Sequence, residues 1–67
     1  MKTTDLYGFE HQPGIAVLIC EGVEEARSDE EFIAAWQYVY ESGLYKRLQG
    51  WYERRIQDMI REGVIDA

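Results

Sequence analysis

Ser28-Asp-Glu-Glu-Phe-Ile-Ala-Ala-Trp-Gln-Tyr-Val-Tyr-Glu-Ser-Gly43 is the stretch on which the fold turns. Ser28 and Glu31 have capping-box spacing, in which each side chain satisfies the other's end of a helix. Asp29 and Glu30 place negative charge at the positive end of the helix dipole. Phe32, Ala35, Trp36, Val39 and Tyr40 then share one helical face, with Glu30, Ala34, Gln37 and Glu41 opposite. Gly43 supplies the stop, because glycine takes the left-handed cap conformation without a Cβ penalty. The pattern predicts a helix from Asp29 to about Glu41.

C-terminal to it, a third helix is expected from Leu44 or Tyr45 to about Glu62. Leu44, Leu48, Trp51, Tyr52, Ile56 and Met59 make its apolar face, flanked by Tyr45, and Gly63 closes it. Val64 and Ile65 then fold back onto its last turn. So short a connection predicts that the second and third helices pair as an αα-hairpin. Gly50 falls inside the expected helix, where glycine costs ~1 kcal/mol relative to alanine. Close approach by a partner's backbone would explain it; a tolerated glycine or slight kink is the plainer reading.

N-terminal to the deciding stretch, residues 22–27 read as an acidic linker. Before it runs Ile15-Ala-Val-Leu-Ile-Cys20, opened by Pro13 and closed by Gly22. Ile15, Leu18 and Ile19 have helical spacing, yet the β-branched Ile15, Val17 and Ile19 also suit a buried strand. A lone strand would have no sheet partner, so a short helix is expected. Residues 1–12 have no period and read as an N-terminal arm, whose Leu6, Tyr7 and Phe9 should dock on the chain's own core or on a neighbour. The expected architecture is one all-α, three-helix domain over residues 13–67, with a short first helix packed on an αα-hairpin.

At 67 residues the chain supports one domain with a limited core. Single Cys20 and single His11 leave no intrachain disulfide and no zinc cluster. Stability then falls to aromatic packing and self-association, and nine aromatic residues suit both. A lone thiol, no leader-like N-terminus and no apolar run of bilayer length lead to the expectation of a cytoplasmic protein. Net charge is −6 and unevenly placed. Residues 1–43 carry nine acids and two bases; residues 44–67 carry four acids and five bases.

That asymmetry frames the candidate partner-binding residues. Arg47, Arg54 and Arg61 recur every seventh residue and form a basic stripe on the expected third helix, with Lys46 and Arg55 off the line. Arginine suits carboxylate and phosphate recognition. Local pairing of Arg54 or Arg61 with Asp58, or of Arg47 or Arg54 with the chain's own acidic segment, is the plainer use of such a stripe. Two helices joined by a glycine turn also admit a helix-turn-helix, although an acidic chain repels DNA over long range. The acids from Glu21 to Glu31 suit either a solvated linker with helix N-terminal charge or an imitation of nucleic-acid phosphates. Tyr38, Tyr40, Tyr45 and Trp51 exceed what one small core needs, and such residues favour interfaces. Catalysis lacks a constellation: His11 has no nucleophile nearby, Cys20 sits in an apolar run, and there is no glycine-rich phosphate loop. No cofactor or metal is expected.

Ser42-Gly-Leu44, Leu48-Gln-Gly-Trp-Tyr-Glu-Arg54 and Ile60-Arg-Glu-Gly-Val-Ile65 together resemble a family of short, acidic tailed-phage proteins. That family carries a T-G-L turn, an L-Q-G-x-Y-x-R core and an L-I-x-x-G-x-I ending. Trp36-Gln37 stands where it has an aromatic followed by glutamine. The match covers the C-terminal part of the chain, and Trp51 and Glu53 depart from the small residues flanking the family's tyrosine. The resemblance implies a phage or prophage origin and a host-cell cytoplasmic setting, and no mechanism. It singles out Leu48 and Tyr52 as structural, and Gln49, Gly50 and Arg54 as contact candidates. The expected function is a non-enzymatic accessory protein that binds a host or phage protein, possible forms being inhibition of a host enzyme or defence complex. The alternatives are a dimeric nucleic-acid-binding regulator using the basic stripe, and a structural or assembly component.

Overall fold

The structure, a computed structural model, describes residues 7–66. Its helices are α1 (Pro13–Glu21), α2 (Asp29–Glu41) and α3 (Gly50–Arg61), with a single 3-10 turn, Leu44–Arg47, between the last two. The domain is all-α with three helices, and no strand occurs among the described residues. Leu6 and the residues before it lie outside the described range; Tyr7 and Phe9 do not. Phe9 is buried, and its ring lies 5.8 Å from Tyr7 and 5.9 Å from Tyr38. This part of the arm belongs to the chain's own core.

Residues 15–20 are helical, which resolves the choice between helix and strand. Pro13 sits in the first turn, where its missing N–H costs no hydrogen bond. Gly22 closes α1 at φ 79°, donating its N–H to Ile19, while Val23 donates to Leu18. Gly63 ends α3 in the same way at φ 78°, with Val64 donating to Met59. Both are Schellman closures, which need a left-handed residue at the turn.

The inward face of α1 differs from the expected one. Ala16, Ile19 and Cys20 are buried, whereas Ile15 and Leu18 are exposed. All six residues of that run are apolar, so its pattern has no polar side to fix the rotation. Packing decides it. Of the helix pairs, α1 and α2 make the most contacts. Ala16, Ala34 and Ala35 are all fully buried, and small side chains at a crossing shorten the distance between helix axes.

α2 is correspondingly rotated. Ala34 and Gln37, expected on the polar side, are buried, and Phe32 is partly exposed. Gln37 escapes the cost of burial through its partners. Its amide donates to the Asp66 carbonyl at 2.9 Å and to a Glu41 carboxylate oxygen at 2.9 Å; its oxygen accepts the Asp66 N–H at 2.8 Å. This pairing fixes the chain end and seats Ile65 in the core.

The expected third helix is broken. Leu48 (φ −103°, ψ 178°) and Gln49 (φ −66°, ψ 155°) are extended, so helical geometry resumes only at Gly50. The α2–α3 connection is therefore residues 42–49, longer than the pattern predicted. Gly50 is the first residue of α3 and not an interior one. α3 reaches the core through large side chains: Tyr52, Ile56 and Met59 are buried, and Trp36 packs against Tyr52 and Trp51 at ring distances of 5.8 and 6.2 Å. The buried Trp36 Nε1 has no hydrogen-bond partner among the described residues.

Candidate partner-binding surface

Cap chemistry sets the acidic front of the molecule. Ser28 Oγ accepts the Glu31 N–H at 3.1 Å, the first half of a capping box. The reciprocal half is displaced by one residue: Glu31 accepts the backbone N–H of Arg27 at 2.8 Å, not that of Ser28. The Arg27 guanidinium also donates to Glu31 through Nε (3.2 Å) and Nη2 (2.8 Å). These guanidinium bonds, then the backbone N–H, hold the Glu31 carboxyl below the usual range. Glu31 with Ile15, Ile19, Glu24 and Glu25 lines an acidic cleft of ≈ 280 Å³ with an isoleucine wall.

At the opposite end of α1, Glu21 accepts a hydrogen bond from the Tyr52 hydroxyl, tying α1 to α3. Burial, followed by the Glu21 carboxylate, pushes the Tyr52 phenol pKa up, so it remains a donor. Burial likewise raises the neighbouring Cys20 thiol to about 12, with Glu21 adding to the shift. Cys20 is therefore a buried thiol with little thiolate. His11 is exposed. Among the described residues no group of three or more histidines, cysteines and acids is placed to hold a metal. No helix of the described residues is long and apolar enough to cross a membrane.

The break at Leu48–Gln49 divides the arginine stripe. Arg54 and Arg61 remain on α3, while Arg47 ends the 3-10 turn, so the three do not form one helical line. The surviving strip is Trp51, Arg54, Arg55, Asp58 and Arg61, which helical spacing of three and four residues sets along one side of α3. All are exposed; Trp51, 38 % accessible, stacks on Tyr52 at 4.0 Å. Arg61 pairs with Asp58 at 3.4 Å, one of the two Asp58 pairings considered from the sequence. Arg54 does not form the other, and neither it nor Arg55 has an acid partner among the described residues. Gln49 and Gly50 are exposed at the start of α3; Gln49 makes no side-chain cap bond, and nothing lies within 4 Å of a Cβ built on Gly50.

Arg47 has a different setting. With Lys46 it lines a cleft of ≈ 440 Å³ whose other walls include Pro13, Tyr38 and Leu44. No carboxylate side chain lines it among the described residues. Sequence reading missed this arrangement, because it depends on the helix break and on the return of α1 beside the end of α2.

No protein-family model, curated protein or solved structure matches the chain. The tailed-phage resemblance rests on the residues quoted above.

Proposed function

We propose that this is a non-enzymatic interaction protein of phage or prophage origin, acting in the host cytoplasm, which binds another protein through the outer side of α3. One observation carries the reading. α3 gives Tyr52, Ile56 and Met59 to the core and leaves Trp51 beside Arg54 and Arg55 at the surface, without acid partners for those two arginines among the described residues. Trp and Arg dominate binding hot spots: each offers large contact area, and arginine adds directional donors. Gln49 and Gly50 extend the strip, and the bare Gly50 position lets a partner's backbone come close. Inhibition of a host enzyme or defence complex is one form this binding would take.

Division of the stripe argues against the nucleic-acid alternative. Two arginines without acid partners among the described residues, beside Asp58 on a chain of net charge −6, offer few phosphate contacts against long-range repulsion. The test is affinity capture from nuclease-treated bacterial lysate, comparing wild type with Arg54→Glu/Arg61→Glu. A discrete protein retained by the wild type and lost by the variant is the expected result. Recovery of nucleic acid instead, or of only the chain's own second copy, would sink the proposal.

A further inference from the structure

We propose that the cleft of ≈ 440 Å³ lined by Lys46 and Arg47 is a second recognition site, which takes a carboxylate-bearing peptide segment of the protein partner. This rests on the reading of the chain as a protein-binding module and adds the chemistry of what it binds.

The charge pattern is the first reason. The chain has thirteen acids and seven bases, yet among the described residues no acid lines this cleft while two bases do. Neither Lys46 nor Arg47 has an acid partner among the described residues. Lys46 Nζ instead stands 6.0 Å from the centroid of the Tyr45 ring. That contact keeps its charge near the protein without neutralising it. The acidic cleft on the same molecule has the opposite arrangement, Arg27 being bonded to Glu31 in its own wall.

Size and wall chemistry give the class of ligand. The volume lies within the range of small-ligand pockets, with room for a few side chains. Tyr38, Leu44 and Pro13 offer apolar surface beside the cations. Apolar side chains alternating with carboxylates satisfy both parts of such a wall. A polyphosphate backbone satisfies only the cations and leaves the apolar wall uncovered. The fit is therefore an acidic, partly apolar peptide.

The 3-10 turn presents the two cations. Gly43, at φ 77°, starts the turn, and the Lys46 N–H donates to the Gly43 carbonyl at 3.1 Å. The extended Leu48 then directs the chain away, so Lys46 and Arg47 close one side of the cleft and do not continue α3.

The test is a titration of the full chain, followed by amide correlation spectra, with the capped peptide acetyl-Glu-Leu-Glu-Leu-Glu-amide. Saturable shifts centred on Ser42, Gly43, Leu44, Lys46 and Arg47 are expected. Lys46→Gln/Arg47→Gln should weaken binding by roughly tenfold. Val23→Glu/Gln57→Glu changes the net charge by the same −2, away from the cleft, and should leave affinity close to wild type. Absence of saturable shifts at the cleft, or equal weakening by both variants, overturns the proposal. So does tighter binding of a single-stranded oligonucleotide or inorganic phosphate at the same residues. Concentration-dependent shifts there without peptide would assign the cleft to a second copy and overturn it too. A failed titration alongside persistent, Arg54-dependent capture removes the cleft and leaves the function proposed for α3.

Discussion

Gln37 shows how one buried amide controls a chain end. Its carboxamide pairs with both backbone groups of Asp66, much as a neighbouring strand would. A net gain of about 1 kcal/mol per hydrogen bond makes Gln37→Ala cost about 2 kcal/mol. For a domain of this size that lowers Tm by roughly 8–16 °C. Thermal melts check the magnitude, and faster amide exchange at Ile65 and Asp66 checks the mechanism; unchanged exchange there would refute it. Glu31 acts at the other end of α2. Its carboxyl pKa is held below the ordinary 4.5 chiefly by the Arg27 guanidinium. A depressed carboxylate contributes stability at pH values above its unfolded pKa and loses it as pH falls through the folded one. Glu31→Gln should therefore destabilise at pH 7, and its deficit should shrink below pH 4.5 as wild-type Glu31 protonates. Urea midpoints across that pH range supply the check, a pH-independent deficit being the contrary outcome. The guanidinium is largely exposed, so salt screening limits the effect.

Gly63, at a helix end that needs a left-handed residue, behaves differently from Gly50, which does not. Gly63 at φ 78° closes α3, and a Cβ there costs about 1–2 kcal/mol. Gly50 begins α3 with negative φ and open space around it. Gly63→Ala should thus destabilise by about that amount, while Gly50→Ala should move stability by less than about 0.5 kcal/mol. If Gly50→Ala instead stabilised by about the full helix-interior difference of 1 kcal/mol, an unbroken helix through residues 44–62 would be the better description. These positions also mark how far the sequence was legible. Ser28 and Gly43 bound α2 because cap signals are local. Gly22 and Gly63 end their helices for the same reason. The break at Leu48–Gln49 was hidden, since Leu44, Leu48, Trp51 and Tyr52 keep helical spacing across it. What the spacing does not encode is tertiary: Tyr40 stacks on Tyr45 at 5.8 Å, anchoring the 3-10 turn to α2. The rotation of α1 was hidden because no polar residue interrupts 15–20. At the surface, the exposure of Arg54 and Arg61 followed from the pattern of α3. The separation of Arg47 from them followed only from the break.

Across the whole molecule, charge and size set one further expectation. A net charge of −6 is confined within a radius of gyration of 10.7 Å. The Debye length is ~30 Å at 0.01 M salt and ~10 Å at 0.1 M. At the lower concentration every acid therefore repels every other; at the higher one only neighbours do. Self-repulsion opposes the compact state, so Tm should rise between 0.01 and 0.15 M salt and then level off. A gain on the order of 1 kcal/mol corresponds to roughly 4–8 °C in a domain of this size. Two local terms oppose the rise, because screening also weakens Arg27–Glu31 and Arg61–Asp58. Both pairs include a largely exposed arginine, and such pairs contribute little in water. Repulsion should win, and one variant separates the terms. Glu24→Lys/Glu25→Lys removes two negative charges and adds two positive ones, bringing the net charge from −6 to −2, and breaks neither ion pair. Its Tm at 0.01 M should exceed that of the wild type, and its salt-dependent rise should be smaller. A wild-type Tm that falls with added salt would mean that the ion pairs, and not the excess of acids, dominate the electrostatics of the fold.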